Sequence, residues 1–292
     1  MVNIGQAFRG VLIAEQSAFG TKNTTGSDLQ FGEVDDESFR TVYDILERPD
    51  VARHTTSKTR RGKIYGEGTI NMATDTSKFV YYLLKGIFPT SSVATGTPNV
   101  FTMTETSHSN AVSGSNDYKS YTIQILRDQK LHTFPSQLIN RLAIGANVGE
   151  YISLSADFMG KAEARDSTTS PDTLPSSLTN GPHAVNPIHF IEASVNFKNN
   201  ATASTAISSF DLEFNLNRNL DASYSLGGET CVRAPPPQLK TISGNIEFFK
   251  PIYATSVDEP LYGDLVGATA SNGIFNVASS ANPALKLTLG SG

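Results

Sequence analysis

The chain has 292 residues, a formal net charge of −5, 17% charged residues, 60 serines and threonines, and one cysteine, Cys231. A chain of this length can bury a core without metal or disulfide crosslinks, and one cysteine excludes an internal disulfide or a zinc ribbon. The acidic balance argues against a protein whose whole surface grips nucleic acid, because such binding needs clustered lysine and arginine.

Alternation of apolar and polar residues, which is typical of half-buried strands, recurs along the chain and predicts a mainly β protein. The predicted strands are Phe8–Ala14, Ile64–Met72, Tyr121–Leu126, Gln137–Ile144, Tyr151–Met159, His189–Phe197, Phe210–Leu216, Ile242–Phe248 and Leu285–Leu289. The segments beginning at His189, Phe210 and Ile242 are expected to be consecutive antiparallel strands. Nine strands are enough for an antiparallel β sandwich or partial barrel.

Helix is expected to be scarce and to flank the sheet. The best helical segment is Asp75–Gly86, with Asp75 or Thr76 as the N-cap and Gly86 as the stop. A second short helix is predicted from Glu259 to Leu265, where Pro260 suits the first turn.

Three loops stand out by composition. Asn23–Phe31 is rich in glycine, threonine and serine and could be an arm, Ser91–Pro98 is expected to be a flexible connector, and Ala164–Pro187 is a polar excursion with four prolines. Solvated surface is the alternative interpretation of each. We expect one domain over residues 1–292, with an inter-subunit arm at 23–63 and the loop excursion at 164–187.

Charge is distributed unevenly. Residues 48–63 hold Arg48, Arg53, Lys58, Arg60, Arg61 and Lys63 against Asp50, a net charge of +5, which leaves −10 for the rest of the chain. One interpretation is a solvated loop. The other is complementarity between copies of the chain, in which a basic surface meets an acidic one and fixes their register. Nucleic-acid binding ranks third, because Tyr65 at the end of the stretch is the aromatic residue nearest to it.

A search for reaction chemistry gives little. No nucleophile-elbow, zinc-protease, phosphate-loop or dinucleotide-binding motif occurs, and the histidine spacings match no common metal site. Asp35–Glu37 is a carboxylate cluster, interpreted as an exposed acidic face, and Cys231 is expected to be a buried apolar side chain. The sequence therefore nominates no catalytic residue, metal ligand or cofactor, and no apolar run is long enough for a membrane-spanning helix.

Several short sequence segments, most of them in the second half of the chain, occur in a characteristic order. They are Ser155–Lys161, which ends a strand pair, then Ser208–Leu220, then Leu239–Phe248, and Gly66–Met72 followed by the predicted helix comes before them. Over residues 60–265 this order resembles phage tail tube proteins. Gly66–Met72 and Ile242–Phe248 also look like two copies of one strand-to-helix unit, a trace that a pseudo-twofold β fold leaves.

The resemblance implies a structural virion protein, the major tail tube subunit, and not an enzyme. Its copies would form stacked, hexameric rings around a lumen that houses the tape measure protein and conducts genomic DNA without binding it. Further partners would be tail terminator and tail-tip proteins. The subunit would be assembled in the host cytoplasm, end in the virion tail and insert in no membrane. The basic residues of 48–63 would contact the next ring, and the acidic remainder would line the lumen.

Two alternatives come from other classes of protein. A capsid decoration protein or a tail-tip β-sandwich binding module would also be mainly β, although the absence of tryptophan weakens a sugar-binding version. A glycosidase on a β scaffold would need a paired carboxylate site, which the sequence does not reveal.

Overall fold

The computed structural model describes residues 10–48, 58–88, 90–94, 100–104, 118–127, 130–164, 186–197, 207–248 and 285–289. The strands in these ranges are β1 (Gly10–Glu15), β2 (Gln30–Gly32), β3 (Asp36–Glu37), β4 (Arg40–Arg48), β5 (Lys58–Ala73), β6 (Thr90–Ala94), β7 (Val100–Thr104), β8 (Tyr121–Arg127), β9 (Lys130–Asn147), β10 (Ser153–Gly160), β11 (Ala193–Phe197), β12 (Ile207–Asn215), β13 (Thr241–Phe248) and β14 (Leu285–Leu289). Helix α1 (Lys78–Ile87) lies between β5 and β6. The helix predicted at 259–265, Arg53 and the interior of the 164–187 loop lie outside the described residues.

Ten of the strands form one antiparallel sheet, so the predicted mainly β fold is confirmed. The main path runs β2-β1-β8-β9-β10-β5-β3, while β12 joins β9 to β13 and β4 pairs with β5. The sheet is not a closed barrel. Two further pairs, β6–β7 and β11–β14, stand apart from it.

The sheet folds on itself at a bend in β9. The first half of β9 pairs with β8 and the second half with β10 and β12, and the register shifts between the Ile123–Phe134 and Tyr121–Gln137 pairs. Ser136 at the bend has a positive φ of 56°, and its Oγ accepts a 2.7 Å hydrogen bond from the Gly20 amide. The bend therefore sets two parts of one sheet against each other.

One core fills the space between these parts. It joins apolar side chains of β1 and β8, such as Ile13 and Ile123, to those of β5, β9, β10 and β12, such as Ile144 and Phe158. Helix α1 closes this core and buries Phe79, Val80, Tyr82, Leu83 and Ile87. The layers therefore agree with a sandwich covered by a short helix.

The termini of α1 differ from the prediction. Ser77 is the N-cap, because its Oγ accepts the Val80 amide at 3.3 Å, while Asp75 Oδ1 accepts the Ser77 amide at 2.8 Å. Gly86 lies inside the helix and not beyond it. A Cβ there would approach Ile139 Cδ1 to 2.6 Å, so the glycine allows the helix to sit close to β9.

Several strands also differ from their predictions. Both β5 and β9 are longer than expected, and β9 runs through Pro135, which a strand tolerates at a bulge. Residues Phe190–Glu192 form a 3₁₀ turn, and β11 pairs with β14 instead of preceding β12 in the sheet. The predicted connector at 91–98 begins as strand β6, paired with β7.

Two parts of the segment 23–63, which is expected to be an inter-subunit arm, form contacts within the single chain. The Asn23 amide donates to Thr122 Oγ1 at 2.9 Å, Leu29 is fully buried, and Gln30–Gly32 pairs with β1. Both flanks of the 42–63 segment belong to the paired strands β4 and β5. Within the described ranges, these two parts therefore pair with other strands of the same chain, and the inter-subunit role of 23–63 stays a prediction.

The predicted exposed acidic face at residues 35–37 is wrong for Glu37. Its side chain is 4% exposed and forms an ion pair with Arg127, whose Nε donates to Oε1 at 2.8 Å. Arg127 also donates to the Phe39 carbonyl at 2.8 Å. This pair joins β3 to the end of β8.

A buried arginine organises the segment that follows β12. Arg218 donates from Nε to the Ile139 carbonyl and from Nη1 to the Pro235 carbonyl, both at 2.8 Å, and burial lowers its pKa to about 10. Cys231 is 1% exposed, which confirms the predicted buried side chain. This segment runs beside the base of the β4–β5 hairpin.

Candidate functional site

The β4–β5 hairpin extends beyond the rest of the sheet. The second half of β5, Gly66–Ala73, pairs with β10 on one side and with β4 and β3 on the other. The first half pairs with β4 and forms one isolated bridge, Ile64 to Thr230. Residues 45–48 and 58–62 therefore form a two-stranded ribbon.

This ribbon is basic, yet it also exposes two large apolar side chains. Adjacent residues of a strand point to opposite faces, yet Ile45 is 67% and Leu46 is 62% exposed. Tyr43 is 49% exposed, and Arg60 and Arg61 are exposed across from Leu46 and Ile45. We call Tyr43, Ile45, Leu46, Arg60 and Arg61 the hairpin tip. An isolated two-stranded ribbon is marginally stable in water, so a contact on it would stabilise it.

The described basic residues of 48–63, which are expected to contact the next ring, fall into two groups in the structure. Arg48 and Lys58 are cross-strand partners at the end of the ribbon, and Arg60 lies opposite Leu46. Arg61 and Lys63 instead form ion pairs within the chain, with Glu229 at 2.7 Å and Asp221 at 2.6 Å. The hydrogen bond to Asp221 raises the pKa of Lys63 above its ordinary value.

These ion pairs belong to an anchor at the base of the ribbon. The Ile64 amide donates to the Glu229 carbonyl at 2.8 Å, and Tyr224 Oη donates to the Ile64 carbonyl at 3.1 Å. Lys63 Nζ also lies 5.5 Å from the centre of the Tyr224 ring. The segment 221–230 therefore fixes the direction in which the ribbon leaves the sheet.

A second surface is the outward face of the sheet half formed by β13, β12, β9, β10 and residues 66–73 of β5, which we call the polar sheet face. Along β10, buried and outward residues alternate strictly, and the same alternation continues through the neighbouring strands. Its charged residues are five carboxylates and one cation, namely Glu67, Asp157, Asp211, Glu213, Glu247 and Arg141. Most other positions carry serine, threonine, asparagine, alanine or glycine. The face is therefore acidic, with a net charge of −4 from these six residues.

A row of side chains crosses four strands of this face. Thr69 Oγ1 donates to Asp157 Oδ1 at 2.7 Å, and Arg141 lies 3.4 Å from Asp157 Oδ2 and 2.8 Å from Glu213 Oε2. The hydrogen bond to Glu213 raises the pKa of Arg141. Because both of its bonds are to carboxylates, Arg141 is neutralised within the face.

The sheet has three open edges in the part of the chain that the structure describes, namely β13, the edge formed by β3 and β4, and β2. Strand β13 pairs with β12 alone, and β4 pairs with β5 alone. Near the first edge, Leu239 is 83% and Ile242 is 59% exposed. Open edges with apolar side chains favour pairing with another chain.

The described ranges give no structural support for a metal site or for catalysis. No group of three or more histidine, cysteine, aspartate or glutamate side chains there could hold a metal ion. His132 lies near the start of β9, with Nδ1 2.8 Å from Glu163 Oε1. No described helix is long and apolar enough to cross a membrane.

The sequence indicated part of these surfaces. Alternation predicted the outward polar positions, and the charge count indicated the basic ribbon. The exposed Ile45 and Leu46 were missed, because apolar residues in a strand are ordinarily interpreted as core.

A family model described as phage tail tube protein matches residues 9–282. No curated protein matches the chain.

Proposed function

Because the chain belongs to the phage tail tube protein family, a family of structural tail components, we propose that it is the major subunit of the tube. Its copies form hexameric rings, and the rings stack into a hollow tube. The lumen houses the tape measure protein and later conducts the genome. The tube ends contact terminator and tail-tip proteins, assembly takes place in the host cytoplasm, and no reaction chemistry is involved.

Ring closure uses two of the open edges of the sheet, β13 and β4. When β13 of one subunit lies beside β4 of the next, the polar sheet faces join into one continuous inner surface. Such a head-to-tail interface closes into a ring when the rotation between subunits divides a full turn. The exposed Leu239 and Ile242 become buried in this contact, which explains why they are tolerated at the edge.

The polar sheet face is the observation that carries the proposal. A conduit for DNA must avoid the multiple lysine and arginine contacts by which proteins hold phosphates. This face presents carboxylates, small hydroxyl and amide side chains, and one arginine that two carboxylates already neutralise. At its β4 edge a second arginine, Arg40, is paired with Glu67 at 2.6 Å. Facing the lumen, it repels the duplex along the whole path.

Adding positive charge to this face tests the proposal. Asp211 and Asn245 are outward cross-strand partners, so Asp211→Lys with Asn245→Lys places two lysines side by side. We expect tubes of normal length but DNA release from variant particles slowed severalfold at low salt and restored at high salt, because phosphate contacts are salt-dependent. Release is measured by the fluorescence of a DNA-binding dye.

The matched control is Asp211→Asn with Asn245→Gln, which removes one charge and adds none. It should release DNA at nearly the wild-type rate. Equal release rates for the lysine variant, the control and the wild type at low salt would place this face away from the DNA path.

The basic hairpin tip has a separate role in the proposal, namely contact with the next ring. The hairpin tip extends past the sheet that builds the ring, and it carries exposed apolar side chains. A contact with the next ring along the tube axis would bury them.

A further inference from the structure

The hairpin tip and a second apolar surface lie at opposite ends of the same sheet. Strand β5 begins at the tip, and its last residue, Ala73, pairs with Ser153 just after the β9–β10 turn. With 16 residues at about 3.3 Å each, β5 spans about 50 Å. The turn at residues 147–152 therefore lies far from the tip.

The second surface, which we call the end patch, consists of Val148, Tyr151, His189, Phe190 and Ile191. Val148 is 62%, Tyr151 56% and Ile191 75% exposed. The His189 ring lies 5.6 Å from that of Tyr151 and 4.4 Å from that of Phe190, centre to centre. The Phe190 amide donates to the Glu150 carbonyl at 3.1 Å, so the turn and the segment 186–192 form one surface.

The charges of the two surfaces are complementary. Residues 147–152 and 186–192 contain two carboxylates, Glu150 and Glu192, and no lysine or arginine. The hairpin tip offers Arg60 and Arg61 beside its apolar Ile45 and Leu46. The ribbon residues 45–48 and 58–62 carry four cations and one carboxylate, Glu47, a net charge of +3, although Arg61 is paired with Glu229. Each surface thus combines exposed apolar side chains with a net charge, and the two net charges have opposite signs.

We propose that the hairpin tip of one subunit docks on the end patch of a copy in the next ring. This inference rests on the proposed tube function and names the partner surface of the tip. Because the two surfaces lie at opposite ends of the sheet, a subunit cannot satisfy its own tip. The contact is therefore heterologous and open, and it repeats along an axis without closing. Apolar burial supplies the attraction, and the charges fix the register.

Engineered cysteines test the contact directly. The variant Leu46→Cys with Ile191→Cys carries one thiol at each exposed surface, and the native Cys231 is 1% exposed and stays out of reach. After mild oxidation of assembled tubes, we expect a ladder of disulfide-linked dimers, trimers and longer species on a non-reducing gel. Tubes of either single variant should give monomers.

The other outcomes separate the contact from the tube itself. Tubes of the double variant without a ladder, or dimers from Leu46→Cys alone, would overturn the docking and leave the tube function standing. Wild-type protein that forms no tubes would overturn both.

Exchanging charges between the hairpin tip and the end patch is a second test of the contact. It does not depend on the geometry of engineered cysteines. Arg60→Glu or Glu150→Arg alone should raise the concentration needed for polymerisation about tenfold, since like charges then face each other. The two together should restore it to near the wild-type value. Two additive losses without restoration would contradict the pairing of these surfaces.

Discussion

Reversing the charge of both tip arginines, by Arg60→Glu with Arg61→Glu, will leave a folded subunit that forms no long tubes. Four charge units are changed on the surface that extends toward the next ring, and repulsion then opposes the stacking contact. The free energy of unfolding of the subunit falls little, because both side chains of the Arg61–Glu229 ion pair are about half exposed and the pair contributes at most about 1 kcal/mol. Negative-stain images show the tubes, and thermal unfolding followed by circular dichroism shows the fold.

The matched control for this variant keeps the charge. Arg60→Lys with Arg61→Lys should polymerise close to the wild type, since docking through charge and apolar burial does not require a guanidinium group. Wild-type tube lengths for the double glutamate variant would contradict the role of the tip in stacking. Loss of tubes together with loss of the circular dichroism signal would instead show that the two arginines stabilise the subunit.

Gly160→Ala will have the largest effect on the stability of the subunit. A Cβ at this position would lie 2.1 Å from the Ser136 carbonyl oxygen and 2.9 Å from Gln137 Cα, both backbone atoms of the β9 bend. Neither a side-chain rotation nor a small shift relieves such an overlap. We expect the free energy of unfolding in urea to fall by about 3 kcal/mol or more.

Gly62→Ala is the matched control for this glycine. Its Cβ would lie 3.2 Å from side-chain atoms of Asp44 and Leu46 on the exposed ribbon, where neighbours can move. The free energy of unfolding of the Gly62→Ala protein should differ from that of the wild type by less than about 1 kcal/mol. A Gly160→Ala protein as stable as Gly62→Ala would show that β9 and β10 do not approach as closely as described.

The strands could be predicted where one face is buried and the other is not. Phe210–Leu216 alternates clearly because β12 has a core side and a solvent side, and most of this segment is a strand in the structure. Ile242–Phe248 also alternates and is a strand, although Ile242 is exposed at the sheet edge. Strand β4 was missed because a register shift between Tyr43 and Ile45 interrupts its alternation. The start of β9 was missed because Pro135 lies at its bend.

Features that depend on distant partners could not be predicted. Glu37 is buried because Arg127, 90 positions later, neutralises it, and no local pattern announces that pair. The basic ribbon was visible as a run of charge, but its direction is set by Glu229 and Tyr224, more than 150 positions later. The end patch joins a turn at 147–152 to a segment near 190, and pairing across the fold brings these two together.

The most direct test of the tube function is electron microscopy of the purified full chain at increasing concentration. We expect stacked rings with an open centre, and in averaged images an inner wall made of the polar sheet face. Protein that stays monomeric at every concentration, and that antibodies fail to locate along the tail of the virus particle, would contradict it.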